Sequence, residues 1–190
     1  MKRQLNVIAV LVFTLFTPLL SVGETTITTI KKIKVPGIEN FSRLDDSQGF
    51  AGSPVGFGGA TESSAMARLS SNGYVTVINL RLANEDGMDV EASQQAAEAT
   101  GLRYVHLPID PQNPNPGAIE SVLETVGDKE NQPLYIHCNS GTRAAALWMI
   151  GRVLKDGSEP DTASKEAEAI AAKPEDAIAF AMAYLASREE

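Results

Sequence analysis

The sequence predicts an α/β fold: a three-layer α/β/α arrangement around a mostly parallel central sheet of four to five strands. Three observations predict it. Short runs dense in β-branched and apolar residues recur along the chain, Tyr74–Leu80 being the clearest, and such runs suit strands buried on both faces. Alanine-rich stretches of helical length separate them, with Gly or Pro at most boundaries. Strands and helices alternating at this rhythm form βαβ units and hence a parallel sheet.

Taken in order, Glu24 to Asp45 is rich in Thr, Lys and Ile, and its imperfect alternation fits a mobile arm or an edge strand. Gln48 to Ala60 holds a short strand and a glycine-rich loop. Thr61 is placed to cap a helix that turns Met66 and Leu69 inward and closes at Asn72 and Gly73. The Tyr74–Leu80 strand ends in Arg81, at the head of a polar loop through Gly87. A helix over Met88–Thr100 stops at Gly101, and a strand follows over Leu102–Leu107. Prolines stiffen the loop Ile109–Gly117. Ala118–Val126 is helical, and a turn over Gly127–Asn131 leads to the strand Pro133–Ile136. Three helices complete the chain: one starting Arg143–Ile150, then Asp161–Ala172 and Pro174–Ser187. The last carries Pro174, Glu175 and Asp176 at its start, where the helix dipole favours acids.

The 190 residues carry a net charge of −8. Lys2 and Arg3 precede an uncharged run from Val7 to Leu20, and small residues follow at Ser21–Gly23. That is the pattern of a secretory signal peptide over residues 1–23, and it places the mature chain in the periplasm or outside the cell. The run is too short for a spanning helix of ~20 residues. The rest divides into an arm, 24–45, and one domain, 46–190. An acidic chain without basic clusters is unsuited to nucleic acid or to anionic membrane. The oligomeric state is left open. There is one cysteine, so no internal disulfide forms, and an unpaired thiol in an exported protein is a candidate for reactivity.

That cysteine is Cys138, in the turn joining the Pro133–Ile136 strand to the Arg143 helix. Backbone N–H groups of such a turn converge with the unpaired N–H groups of the helix start and favour an anion. A thiolate at the lip is stabilised there. Arg143 can return its planar fork to the same point and hold two oxygens of a tetrahedral oxyanion. Nucleophile, amide cradle and guanidinium together suit covalent transfer of an oxyanion group, with no metal or cofactor required. Topology places Arg81, the Asp110 loop and Cys138 on one rim, at the carboxyl ends of the strands.

The stretch His137-Cys-Asn-Ser-Gly-Thr-Arg143 resembles the signature loop of the cysteine-dependent tyrosine and dual-specificity phosphatases. With Gly73–Arg81 and Gly101–Asp110 it more closely resembles the bacterial phosphatase-like domain called β-lactamase-hydrolase-like, or DUF442, whose loop reads Cys-x-x-Gly-x-Arg. The resemblance covers roughly Ser53 to Lys155. It implies a protein-tyrosine-phosphatase-like fold and hydrolysis of phosphomonoesters, on a phosphorylated small molecule or a phosphoprotein. Cys138 is then the nucleophile that forms a thiophosphate. Arg143 binds the equatorial oxygens, and the amides of Asn139, Ser140, Gly141, Thr142 and Arg143 form the cradle. Asp110 is the general acid, and His137 supports the thiolate from below the loop. Arg81 is a supporting residue that either touches substrate or pairs with a loop carboxylate such as Glu85. Two features depart from the wider superfamily. The arginine follows the cysteine by five residues rather than six, and Ala144 stands where a Ser or Thr usually helps the cysteine leave. Thr142 and Ser140 are the hydroxyls available to replace it.

Two other functions share parts of this pattern. A rhodanese-like sulfurtransferase also uses a Cys-x-x-Gly-x-Arg loop, but the early chain lacks that fold's Asp-Val-Arg and Gly-His-Ile-Pro-Gly-Ala stretches. An oxyanion-binding module without turnover would keep the cradle and account for Ala144.

Overall fold

Six strands form one sheet: β1 (Ile30–Lys32), β2 (Ser42–Leu44), β3 (Val55–Gly58), β4 (Thr76–Asn79), β5 (Arg103–His106) and β6 (Leu134–His137). Their spatial order is β1-β2-β3-β6-β4-β5. The four strands β3, β6, β4 and β5 are mutually parallel, whereas β1 and β2 are added antiparallel at one edge. The structure is a computed structural model that describes residues 29–44 and 50–188. The expected signal peptide lies outside those residues.

The parallel part is the sheet the sequence predicts. The two further strands come from the segment expected to be an arm, which settles as edge strands rather than as a free extension. Ser42 and Leu44 are fully buried against the sheet, so the domain begins before residue 46. Leu44 alone removes a side chain worth ~1.5–3 kcal/mol from water.

Strand periodicity sorts the side chains between two cores. On one face Val55, Phe57, Ile78, Leu134 and Ile136 pack against the large cluster centred on Trp148. Trp148 meets Phe50 and Phe57 edge-on at centroid distances of 4.9 and 5.4 Å. On the other face Val77 and Tyr135 join Met66, Leu69, Ala97 and Leu102, beneath helices α1 (Met66–Ser71) and α2 (Val90–Glu98). The first face carries α3 (Pro116–Gly127), α4 (Thr142–Asp156), α5 (Pro160–Ile170) and α6 (Pro174–Ala186). Every residue of α4 from Arg143 to Arg152 is buried, as expected of a helix covered on all sides.

Local chemistry moves several boundaries. Helix α4 continues past Ile150 to Asp156, where Gly157 takes a left-handed conformation and stops it. Pro116 is the first residue of α3, and the Asn115 side chain accepts from the Gly117 and Ala118 amides. Thr61 does not cap α1. Its hydroxyl is 3.0 Å from the Gly59 carbonyl and 2.7 Å from the Tyr135 hydroxyl, and a 3-10 turn over Ser63–Ala65 precedes the helix.

Candidate active site

Strand β6 lies between β3 and β4, so its carboxyl end opens at the middle of the sheet. The chain leaves it at His137, turns through Cys138–Gly141 and enters α4 at Thr142. The turn can be this tight because Gly141 adopts φ +88°, a left-handed conformation that strains any side chain. Its N–H donates to the Cys138 sulfur at 3.2 Å. Cys138 is 1% exposed, in the loop that borders an open cleft of about 930 Å³. Asn139, Ser140, Thr142 and Arg143 line the cleft on the loop side, Asp110 and Pro111 form a second wall, and Phe180 and Tyr184 of α6 form a third. The Ser140 and Thr142 hydroxyls are 3.0 Å apart, and Ala144 is buried.

Arg143 is held by more partners than the sequence shows. Its Nη1 donates to the carbonyls of Leu80 and Ile109 at 3.0 and 3.1 Å and to Glu85 Oε1 at 2.6 Å. Its Nη2 donates to Glu85 Oε2 at 2.9 Å. The two carbonyls lie just past the ends of β4 and β5, so the sheet itself fixes the fork. Burial opposes the guanidinium charge, but Glu85 and the Cys138 sulfur outweigh it and raise the Arg143 pKa. Burial likewise pushes the Glu85 carboxyl up. Bonds from Arg143, the Leu82 amide and Arg81 more than reverse this and hold it below its ordinary value. The pair therefore stays ionised at neutral pH.

Glu85 has a site role that the sequence does not reveal, since in the sequence it stands only as a partner for Arg81. It does serve Arg81, whose Nε lies 3.2 Å from Glu85 Oε2 and whose Nη2 donates to the Asp86 carbonyl at 2.6 Å. Arg81 is 5% exposed, committed to the loop that presents Glu85, and it does not line the cleft. The available signal was the acid four residues past a strand-end arginine. His106 is satisfied by the Arg81 carbonyl at 2.7 Å.

His137 is buried beneath the loop, its ring stacked on Tyr135 at 5.5 Å and 11°. Neither ring nitrogen has a well-formed hydrogen bond among the described residues. Burial pushes its pKa down to about 4, with Arg81 and Arg143 adding to the effect and backbone groups of Cys138 and Gly59 opposing it. It is neutral at pH 7. The expected support for the thiolate therefore cannot come from an imidazolium charge. Asp110 is half-buried on the cleft wall, where its Oδ1 accepts from the Gln112 amide at 2.9 Å. That Asx turn fixes the carboxyl rather than leaving it to swing. Among the described residues no group of three or more His, Cys, Asp or Glu could hold a metal ion.

A tight strand-to-helix loop with a buried sulfur, an amide on that sulfur and an anchored arginine, on a parallel sheet between helices, is the arrangement of a phosphatase-like domain. Residues 55–155 match the family described as "Beta-lactamase hydrolase-like protein, phosphatase-like domain", and the chain belongs to that family. The beta-lactamase hydrolase-like protein of Agrobacterium fabrum is 30% identical over 88 residues, which are 45% of this chain and 20% of that protein. The chain thus matches about a fifth of the length of that curated relative. A DUF442 protein of Shewanella putrefaciens CN-32 superposes with a TM-score of 0.62 at 20% identity, covering 80% of this chain and 92% of the other. P. aeruginosa TpbA gives a TM-score of 0.61 at 18% identity, covering 82% and 88%. The core catalytic domain of the PP-IP phosphatase SIW14 from S. cerevisiae gives 0.61 at 20%, covering 82% and 96%. The fold is therefore protein-tyrosine-phosphatase-like.

Proposed function

We propose that the chain hydrolyses phosphomonoesters through a thiophosphate on Cys138. The observation that carries this reading is the convergence on one sulfur of the Gly141 amide and the Arg143 guanidinium, in a loop that borders a cleft walled by Asp110. In the first step the Cys138 thiolate attacks phosphorus and an S–P bond forms as the ester P–O bond breaks. Asp110 gives its proton to the departing oxygen. In the second step water attacks the thiophosphate, Asp110 takes the water's proton, and the S–P bond breaks to release phosphate. The amides from Asn139 to Arg143, with the Arg143 fork, balance charge on the three equatorial oxygens throughout. The substrate is a phosphorylated small molecule or a phosphoprotein. A variant of TpbA has been solved in complex with pTyr, which supports a phosphorylated ligand for this cleft. The Lys2–Arg3 start and the uncharged run after it support a periplasmic or secreted location, checked by cell fractionation.

The test is turnover of 4-nitrophenyl phosphate with single-turnover trapping. Wild type forms a phosphoenzyme captured by rapid denaturation and Cys138→Ala forms none. Asp110→Asn, which preserves the turn to Gln112, slows the first step most for esters with poor leaving groups. Turnover by Cys138→Ala at the wild-type rate rejects the mechanism. Phosphate binding by wild type and Cys138→Ser alike, with hydrolysis by neither, favours the binding module, and cyanide-dependent consumption of thiosulfate favours a sulfurtransferase.

A further inference from the structure

The signature loop is held from behind by residues outside the family match at 55–155. Between β1 and β2 the chain makes a tight excursion through Asn40, a non-glycine residue at φ +48°. That conformation is costly for most side chains and is tolerated best by Asn and Asp. The Asn40 side chain spends its donors on the site. Its Nδ2 donates to the Ser140 carbonyl at 3.0 Å and to the Ile170 carbonyl, at the end of α5, at 2.8 Å. Lys32 of β1 donates to Asn40 Oδ1 and to the same Ile170 carbonyl at 3.1 Å. The amide is thereby oriented at both ends: an ammonium fixes which atom is oxygen, and two carbonyls fix which is nitrogen.

The Ser140 carbonyl and the Gly141 N–H belong to one peptide plane. In a trans peptide they point in opposite directions. The carbonyl is drawn outward to Asn40, and the N–H is aimed inward at the Cys138 sulfur. The preceding plane is handled alike, since the Ala60 N–H donates to the Asn139 carbonyl at 2.8 Å. That turns the Ser140 N–H the opposite way. Space is tight enough to enforce this: a Cβ on Gly141 would lie 2.8 Å from Asn40 Nδ2, and one on Gly59 would lie 3.0 Å from the Asn139 carbonyl. Rotation of the 140–141 plane would present a carbonyl oxygen to the sulfur and to any bound oxyanion, replacing attraction by repulsion.

We propose that Asn40 is a positioning residue for the oxyanion cradle: with Lys32 behind it, it holds the Ser140–Gly141 peptide in the orientation that accepts an anion. The proposal rests on the phosphatase reading and deepens it. The segment 30–44, added antiparallel at the edge of the sheet, is then part of the catalytic apparatus.

The test compares wild type, Asn40→Ala and Asn40→Asp for binding of inorganic phosphate and orthovanadate by titration calorimetry, with melting temperature and 4-nitrophenyl phosphate kinetics alongside. Asn40→Asp is the decisive variant, because it keeps the shape and the Lys32 contact but cannot donate to Ser140. It also carries the test if Asn40→Ala fails to fold. Both variants are expected to weaken vanadate binding by about tenfold or more, the loss of roughly one charge-assisted hydrogen bond. In kinetics kcat falls more than KM rises, and the melting curve shows Asn40→Asp folded at the assay temperature. Wild-type vanadate affinity in a folded Asn40→Asp overturns the positioning role and leaves the phosphatase reading intact. Failure of wild type itself to bind phosphate or vanadate overturns both.

Discussion

Helix α4 carries two buried arginines, Arg143 at its first turn and Arg152 near its end, and each grips a glutamate. Arg143 meets Glu85 through Nη1 and Nη2 at 2.6 and 2.9 Å. Arg152 meets Glu166 through Nε and Nη2 at 2.9 and 3.2 Å. Chemically the pairs are near twins, but their surroundings differ. Around Arg152 the site is closed. Nη1 is taken by Asp156 at 2.9 Å, Trp148 Nε1 donates to Glu166 at 2.9 Å, and the guanidinium lies 5.6 Å from the Trp148 ring centre. Glu166 is 1% exposed. Around Arg143 the site is open. Its Nη atoms face Glu85 and two carbonyls on the sheet side, its contact with the Cys138 sulfur raises its pKa, and it lines the cleft together with Glu85. A buried arginine–glutamate pair fastens elements together when each guanidinium nitrogen has an acceptor. It becomes a tool when the carboxylate holds one edge of the fork and leaves the other toward a cavity.

The comparison breaks most easily at the arginines themselves. Arg143→Lys keeps the charge but cannot span Glu85 and both carbonyls, so kcat should fall by roughly 10²–10³, as when an oxyanion donor is removed. Arg152→Met should leave turnover per folded molecule unchanged while lowering stability by about 3–5 kcal/mol, because Glu166 is then a buried charge without its cation. Steady-state kinetics paired with denaturant unfolding reads both. If Arg152→Met loses turnover as Arg143→Lys does, the division between fastener and tool is wrong.

The glutamates give the same contrast at smaller amplitude. Glu85→Gln preserves shape but turns a charged acceptor into one carrying its own N–H donors, and about tenfold loss in kcat/KM is expected as the Arg143 fork loosens. Glu166→Gln should shift the unfolding midpoint and spare kcat/KM. Equal loss of kcat/KM in the two variants would show that Glu85 orders nothing specific to the site.

How far the sequence reveals this arrangement follows from how local each feature is. The four parallel strands, the helices between them and the rim holding Cys138, Arg143 and Asp110 follow from periodicity and turn residues spaced a few positions apart. Glu85 contacts Arg143 across 58 positions, and no local pattern indicates which of many acids closes on a given arginine. The same holds for Glu166, which sits in an ordinary amphipathic helix until α5 packs on α4. Thr61 carries the type of residue that caps helices, but the Tyr135 hydroxyl, 74 positions away, claims its side chain. Segment 30–44, whose composition fits either an arm or an edge strand, leaves that choice open for a different reason. Its strands are three residues long, too short to show alternation, and they exist because β3 offers an edge.

His137 sharpens the comparison as a buried base with no carboxylate among the groups that shift its pKa. Where Glu85 and Glu166 keep their arginines charged, His137 packs between Tyr135 and the loop backbone, near Arg81 and Arg143, and its pKa falls to about 4. Unfolded, the same imidazole takes a proton below ~6.5. Its contribution to stability is therefore complete above that value and is lost as pH falls from there toward about 4. The gap corresponds to about 3 kcal/mol, or roughly 6–12 °C of melting temperature in a domain of this size. Glu85, held below its ordinary pKa, also costs stability on acidification, but only as pH falls from the ordinary carboxyl value down to its own lowered one. His137→Phe keeps the ring stack and removes the titration, so melting temperature between pH 7 and pH 4 should fall less steeply in the variant than in wild type. Parallel curves for the two proteins would mean that burial does not depress the His137 pKa in the folded state.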